Sequence, residues 1–327
     1  MNMRHDVMYQ AASRYYVQGE TMYTIAHALG VSRSTVSRLL RAARETGLVR
    51  ITIADASGAQ SPLASALSEA FGITVHLVPV RATASVLVRM DLVAQRAATL
   101  LGEMVQDNQT IGVAWGVTMA NVTRHLPIRP LVGSTIVQMN GGANRRSSGV
   151  PYIGEILQSI GDAFDSKVVL FPVPAFFDYP ETKAAMWRER SVRYVLDLLA
   201  VLDIAIFGVG SLTGAIPSHV YAAGYLDADE RLALVNDGVV GDICTVLLRE
   251  DGSYADIEAN RRATGLTPAE LARVPRRICV AADPMRAPAI VAALRARVAT
   301  DLVIDETTAR AVLRRVSPQG STGIVPA

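Results

Sequence analysis

The sequence predicts an α/β protein. A small helical N-terminal head, helix-turn-helix and winged-helix-like in pattern, precedes a larger Rossmann-like unit on a doubly wound, mainly parallel sheet. Three observations predict this. Between Glu20 and Thr46, two amphipathic stretches meet at a glycine-centred corner. From Leu63 onward, apolar runs of four to seven residues alternate with stretches of helical period, as in strands buried under crossover helices. Between them ADASGAQSP, residues 54–62, is small and polar and ends in proline, which places the head at 1–54, a linker at 55–62 and the large unit at 63–327.

The first expected helix is Asp6 to Gln18, with Val7, Met8, Ala11, Ala12, Tyr15 and Tyr16 available to cover the helix pair, and Gly19 ends it. Thr21 to Leu29 places Met22, Ile25, Ala26 and Leu29 at helical spacing. Gly30 then stops the helix, because glycine tolerates the left-handed backbone of a helix C-terminus, and the Ser32 hydroxyl caps the next one. That second helix buries Val36, Leu39, Leu40 and Ala43, leaving Arg33, Ser34, Thr35, Ser37, Arg38, Arg41 and Arg44 on its other faces. Such a surface suits DNA: short hydroxyls reach phosphates or base edges, and arginines pair with guanine O6/N7 or the phosphate backbone. Arg33, Ser34, Thr35, Ser37 and Arg38, in the first two turns, are assigned base or near-base contacts, and Arg41 and Arg44 phosphate contacts. A solvated basic helix behind a serine cap is the bland alternative; the cornered pair of helices favours DNA. After Gly47, the alternation from Leu48 to Ile53 predicts a short strand, a wing or the start of the connection.

In the large unit, strands are expected at 73–80, 110–114, 134–139, 167–170, 202–208, 243–249, 277–281 and 301–304. Helices are expected at 63–70, 86–106, 117–124, 152–163, 191–199, 228–235, 268–273, 286–297 and 306–314. No internal repeat or low-complexity tract interrupts them.

At 327 residues, half of them apolar, the chain can build a sizeable core plus a smaller module, and the soluble globular class fits. The net charge of +2 hides an asymmetry: residues 1–54 hold seven arginines, no lysine and three acids, a net +4, so the remainder sums to −2. Attraction for polyanions is thus concentrated in the head. Cys244 and Cys279 lie in apolar runs without CxxC or Cys/His clustering, which predicts buried thiols and neither a metal site nor a disulfide framework. The N-terminus MNMRHDVMYQ lacks the apolar core of a signal peptide, and no apolar run reaches membrane-spanning length. A cytoplasmic protein without a membrane partner or a cofactor is expected.

Ligands of open α/β sheets settle beyond the carboxyl ends of the strands, which directs attention to four loops. Gly112 to Thr118 runs from strand through a glycine turn into a helix, where exposed amides near Gly116 and the Thr118 hydroxyl could hold a phosphate; a tight turn accounts equally for the letters. Gln138 to Arg145 pairs Gly141 and Gly142, which let backbone approach a ligand, with Asn140, Asn144 and Arg145 as hydrogen-bonding groups; an Asn-Gly turn is the rival. Phe207 to Leu212 again runs from a strand into glycines, with Gly210 and the donor Ser211. The fourth combines Asp237 and Asp242 before one strand with Asp283 to Arg286 after another: carboxylates accept from sugar hydroxyls, and Arg286 could bind an anion through two parallel hydrogen bonds. Each acid alone fits a turn or cap; their joint placement favours a ligand.

Taken together, these stretches resemble the SorC (SorC/DeoR) family of sugar-responsive bacterial transcription regulators. The resemblance runs nearly end to end, through VSRSTVSRLLRAARETGLVRI, WGVT at 115–118, VQMNGG at 137–142, FPVPAF at 171–176, GVGSL at 208–212, VVGDI at 239–243 and RAPAIVAALRA at 286–296. It implies an effector domain similar to ribose-5-phosphate isomerase and glucosamine-6-phosphate deaminase, a phosphorylated sugar or polyol as effector, and homodimers or homotetramers on operator DNA. By motif, it implies that Gly116, Thr118, Gly141, Gly142, Gly210, Ser211 and Asp242 line the pocket. Many relatives carry a lysine facing the ligand phosphate where this chain has Arg286, which keeps the charge but changes reach and geometry. The two lysines, Lys167 and Lys183, lie outside the glycine loops, so a noncovalent ligand is expected.

Two other classes compete. A sugar-phosphate isomerase or deaminase with a fused head needs an acid and a base near one carbon, and Asp237, Asp242 and His219 are the candidates, none in a strong catalytic signature. A constitutive DNA-architectural protein would use the large unit for oligomerisation alone.

Overall fold

The computed structural model describes residues 3–49, 61–145, 147–216 and 218–316. The chain divides into two units, Met1–Ala59 and Gln60–Ala327.

In the first unit, α1 (Met3–Ala12) widens at its end into a π-helical segment, Ser13–Val17, so the expected single helix is irregular over its last turn. Helix α2 (Met22–Leu29) is capped by Thr21, whose Oγ1 accepts from Thr24 N at 3.2 Å, and ends at Gly30 with φ of 63°. Helix α3 (Arg33–Glu45) starts at Ser32, whose Oγ accepts from Thr35 N at 3.1 Å. Met8, Ala11, Ala12, Ile25, Ala26, Val36, Leu40 and Ala43 form the core of this unit. Leu48 and Val49 turn back onto it, Val49 N donating to Ala43 O at 2.9 Å, so these two residues close α3 rather than begin a strand. The rest of the expected strand, and the linker as far as Gln60, lie outside the described residues.

In the second unit, Pro62, expected in the linker, instead opens α4 (Pro62–Phe71) at a position where its missing N–H costs nothing. Seven parallel strands follow in the main sheet: β1 (Thr74–Val78), β2 (Thr110–Val113), β3 (Thr135–Gln138), β4 (Lys167–Val169), β5 (Ile204–Gly208), β9 (Arg276–Ala281) and β10 (Asp301–Asp305), in the spatial order β1-β10-β9-β5-β2-β3-β4. Residues alternate between its faces. Ile204, Ile206, Ile278 and Val280 pack with α5 (Val86–Met104), α6 (Val117–Thr123) and α7 (Val150–Phe164). Ala205, Phe207, Cys279 and Ala281 pack with α4, α9 (Arg190–Leu199), α13 (Ala287–Arg295) and α14 (Glu306–Val316). Both faces are covered, which is why these strands read as continuous apolar runs.

The chain runs from β2 outward through β3 to β4, then returns to β5 on the other side of β2. The winding direction therefore reverses between β2 and β5.

One expected element was wrong in kind. The run 243–249, taken as one strand, is a hairpin: β7 (Val239–Ile243) and β8 (Val246–Arg249) pair antiparallel, with β6 (Gly210–Ser211) alongside β7 in a separate three-stranded sheet. Cys244 and Thr245 make the turn with φ of 47° and 69°, a conformation in which glycine and asparagine dominate, so the sequence carries no hairpin signal there. The remaining α-helices are α8 (Pro180–Met186), α10 (His219–Ala222), α11 (Ala228–Asn236) and α12 (Pro268–Leu271), of which α8 and α10 were not anticipated. Among the described residues, no helix is long and apolar enough to cross a membrane.

A buried ion pair ties α5 to the end of β10. Arg89 Nη1 lies 2.9 Å from Asp305 Oδ1, and Arg89 also donates to the carbonyls of Ala84, Arg81 and Ala82. Asp305 accepts in turn from Thr307 N and Thr308 N at the start of α14. Asp305→Ala leaves the guanidinium buried without its counter-charge and is expected to lower the unfolding free energy by about 3–5 kcal/mol. Urea denaturation measures this; a loss under about 1 kcal/mol would show that the pair does not secure the end of β10.

Candidate functional site

A cleft opens beyond the carboxyl ends of β2 and β5, where the winding reverses, with about 540 Å³ of empty space including its open mouth. Ala114 to Met119 from the β2–α6 turn, Gly208 to Gly210 from the passage between β5 and β6, Ser218 to Val220 from the start of α10, Asp242, Cys244 and Thr245 from the hairpin, Asn140 and Arg286 line it.

Gly116 has φ of 149°, which favours glycine, and open space stands where a Cβ would be. The Thr118 side chain packs against Gly208, where an added Cβ would meet it at 3.0 Å. Asn140 is positioned by the turn that follows β3: Trp115 Nε1 donates to the carbonyls of Asn140 and Gly141 at 3.1 and 3.0 Å, and Gln138 Nε2 to Asn140 O at 2.7 Å. Trp115 stacks on Tyr225 with ring centroids 5.3 Å apart, and the Tyr225 hydroxyl donates to Gly142 O at 2.8 Å.

Asp242 is 4% exposed. Its Oδ2 accepts from Thr245 N at 3.2 Å, bracing the left-handed Cys244–Thr245 turn, where a β-branched residue carries strain of about 1–3 kcal/mol. Its Oδ1 lies where a Cβ on Gly210 would stand, 1.9 Å away, so only glycine lets the two strands approach with this carboxylate between them. Burial pushes its pKa up to about 6, against the opposing pull of the Tyr221 hydroxyl, the Thr245 amide and Arg286. The Tyr221 hydroxyl stands close enough to polarise the carboxylate, yet the pair falls short of hydrogen-bond geometry.

Arg286, 7% exposed, donates from Nη1 to Val209 O at 2.9 Å and from Nη2 to Ile216 O at 2.7 Å. Asp283 Oδ2 accepts from Ala215 N at 2.7 Å and lies 3.8 Å from Arg286 Nε. The two parallel hydrogen bonds expected from Arg286 to an anion are thus made to the chain's own carbonyls, clamping the 209–216 segment that contains β6. His219 stacks on Tyr152 at 4.8 Å, and burial lowers its pKa, so its ring is neutral at neutral pH.

Among the described residues, three buried polar atoms of lining residues have no hydrogen-bond partner: Asn140 Oδ1, Asp242 Oδ1 and Arg286 Nε. Such groups cost about 1–3 kcal/mol each when left unsatisfied, which marks the place as one prepared for a polar ligand.

Of the sequence-derived pocket residues, Gly116, Thr118, Asn140, Gly210, Asp242 and Arg286 therefore come together here. The others lie elsewhere. A Cβ on Gly141 would strike Pro174 O and one on Gly142 the Ile153 side chain, so both serve the packing that presents Asn140. Asn144 bridges to Ser147 and interacts with Tyr225, and Arg145 is exposed at the surface. Ser211 N donates to Ser218 Oγ and its own Oγ accepts from Thr213 N, so it orders the 211–218 loop from outside the cleft. Asp237 is held by Arg249 at 2.7 and 2.8 Å, away from the cleft. Ser218, Cys244 and Thr245 escaped sequence reasoning, since nothing local distinguishes them, and His219 was considered only for catalysis.

In the first unit, α3 turns Val36, Leu40 and Ala43 inward and leaves Arg33, Ser34, Ser37, Arg38, Arg41 and Arg44 exposed, with Thr35 partly so. Ser32 Oγ also meets the hydroxyls of Ser34 and Thr35 at 2.8 and 2.9 Å, and Arg38 Nη2 donates to Thr35 Oγ1 at 3.2 Å. The hydroxyls assigned to DNA thus belong to the capping network as well.

A helix-turn-helix unit and an α/β unit with a polar cleft at its strand ends define a ligand-binding regulator. Residues 57–314 match the Sugar-bind family, described as "Putative sugar-binding domain". The deoxyribonucleoside regulator of Bacillus subtilis is 30% identical over 305 residues, 93% of this chain and 96% of its own. The transcriptional regulator LsrR of Enterobacter sp. (strain 638) is 33% identical over 304 residues, 91% of this chain and 90% of its own. A crystal structure of a domain of "a possible sugar-binding transcriptional regulator" from Arthrobacter aurescens TC1 shares 44% identity and a TM-score of 0.73 over 80% of this chain and 100% of its own. Full-length SorC, the sorbitol operon regulator from Klebsiella pneumoniae, superposes with a TM-score of 0.75 over 96% of this chain and 100% of its own; at 23% identity, this shows the shared fold. The chain belongs to the SorC/DeoR-type sugar-binding domain family of transcriptional regulators.

Asp242 makes stability depend on pH in a defined direction. Because its native pKa of about 6 exceeds the ordinary 3.8, the folded state keeps this proton longer than the unfolded chain. Stability from this group therefore falls as pH rises from about 4 to about 6 and is flat above that. Asp242→Asn is expected to be more stable than wild type at neutral pH, by up to about 3 kcal/mol, with the difference vanishing below about pH 4. Paired denaturation curves across this range measure it; a pH-independent difference would place the carboxylate in a more polar setting.

Proposed function

We propose that this chain is a DNA-binding regulator of carbohydrate metabolism whose operator affinity is set by a sugar or sugar-phosphate effector held in the β2/β5 cleft. The observation that carries the reading is the convergence of three unpartnered buried polar atoms on one cleft, in a chain whose other unit exposes an arginine-rich helix. The names of the relatives, a sorbitol operon regulator and a deoxyribonucleoside regulator among them, support the same class of ligand.

Helix α3 enters the major groove with Arg33 and Arg38 toward base edges and Arg41 and Arg44 toward phosphate. The protein acts as a homodimer or homotetramer in the cytoplasm, because paired recognition helices must meet successive major grooves roughly 34 Å apart. Effector and operator are coupled by about 1–3 kcal/mol. The cleft is a binding site rather than a catalytic one: of the three candidate acid–base groups, Asp237 is committed to Arg249, Asp242 braces the hairpin turn, and the His219 ring is stacked on Tyr152. Sustained turnover of a sugar phosphate by the purified protein would overturn that part of the reading.

The units separate by mutation. Arg38→Ala is expected to weaken operator binding about tenfold or more while effector binding is unchanged. Thr118→Ala is expected to abolish the effector response while operator binding is retained. Fluorescence anisotropy on operator DNA, with and without effector, reads both; loss of both activities in either variant would contradict the assignment.

A further inference from the structure

We infer that Thr264, which is not among the residues lining the cleft, is a positioning residue for effector recognition: its hydroxyl fixes the Asn140–Gly141 peptide and with it the Asn140 carboxamide. This deepens the carbohydrate-effector reading above and rests on it.

The peptide unit between Asn140 and Gly141 is gripped at both ends. Its carbonyl, Asn140 O, accepts from Trp115 Nε1 at 3.1 Å and from Gln138 Nε2 at 2.7 Å. Its N–H, on Gly141, donates to Thr264 Oγ1 at 3.1 Å. Glycine restricts its own backbone little, so the plane of the peptide before it is set from outside.

The polarity of the grip allows one orientation. Thr264 Oγ1 carries a single proton and lies 2.9 Å from Pro174 O and 3.0 Å from Ala175 O, so it donates there and is left an acceptor toward Gly141. A reversed peptide would set its N–H against the indole and carboxamide donors, and its carbonyl against an oxygen whose proton is engaged elsewhere.

Thr264 is itself held. It is buried, its N donates to Ala175 O at 3.1 Å, and Lys183 Nζ donates to the carbonyl of Ala263 before it. Gly265, after it, approaches Cys244 so closely that a Cβ would collide with the Cys244 carbonyl oxygen. Residues 263–265 therefore join the turn after β3 to the turn of the β7–β8 hairpin, the two walls that carry Asn140 and Asp242. Valine at 264 has nearly the shape of threonine but no acceptor. The buried Gly141 N–H then loses its partner, and the peptide can turn, carrying the Asn140 carboxamide out of register with Asp242.

The chain holds two tryptophans, Trp115 and Trp187. Full-length protein carrying 5-fluorotryptophan gives two fluorine resonances, assigned with Trp187→Phe, and that of Trp115 reports the carbonyl end of the gripped peptide. Thr264→Val, and Thr264→Ala should the valine variant fail to fold, are expected to shift or split the Trp115 resonance and leave that of Trp187 in place. Thr264→Ser, which keeps the hydroxyl, is expected to leave both unchanged. Calorimetric titration uses D-ribose 5-phosphate, D-glucose 6-phosphate, D-glucitol, D-glucitol 6-phosphate and inorganic phosphate as probes. A probe that binds the wild type is expected to bind the valine and alanine variants at least about tenfold more weakly and the serine variant within about threefold, with operator affinity in its absence unchanged. Undiminished probe affinity in the valine and alanine variants, a loss that serine does not restore, or an unmoved Trp115 resonance overturns the inference and leaves the carbohydrate reading standing. Failure of every probe to bind the wild type, with operator affinity unmoved, overturns that reading and the inference with it.

Discussion

The site depends on one constraint of sheet winding. A parallel strand needs a crossover to reach its neighbour, and where the winding reverses, between β2 and β5, successive crossovers leave in opposite directions and no helix spans the gap above the strand ends. The cleft is therefore a consequence of strand order. What lines it has been brought to that gap from the β2–α6 turn, the end of β5, the turn after β3, the start of α10, the hairpin turn and the residue preceding α13.

The walls of the gap are held by buried polar groups that serve each other. Asp283 and Arg286 grip the 209–216 loop through its amide and carbonyls, and Asp242 braces a turn whose two residues both have positive φ. Rigid walls suit recognition, because groups already oriented in a poorly solvated setting lose little freedom when a ligand arrives. The same burial makes the remaining unpaired atoms selective, since each rejects a ligand that cannot complete it.

The arginine-bearing unit follows a different physical logic. Its core is small and rich in alanine, its helices are stabilised by hydroxyl caps, and its charge faces outward. Electrostatic attraction to a polyanion needs exposed, solvated charge. Recognition in the cleft needs the reverse, polar atoms withdrawn from water, and one chain accommodates both by separating them into two units.

Local pattern in the sequence determined the helix-turn-helix pair, the cap at Ser32, the glycine at its corner, and most of the parallel strands, because these depend on residues within a few positions of each other. It also showed the glycine turns at strand ends. Tertiary structure alone decided which of those turns share a cleft. Asn140 and Asp242 meet across a hundred residues of chain, whereas Gly141 and Gly142, beside Asn140, are turned to packing against Pro174 and Ile153. It likewise decided that Asp237 pairs with Arg249 and that Arg286 clamps a loop, since the partners of a long charged side chain are fixed by distant backbone. The Cys244–Thr245 hairpin belongs to the same category: its backbone is imposed by Asp242, by strand pairing and by the close approach to Gly265, against the preference of its own residues.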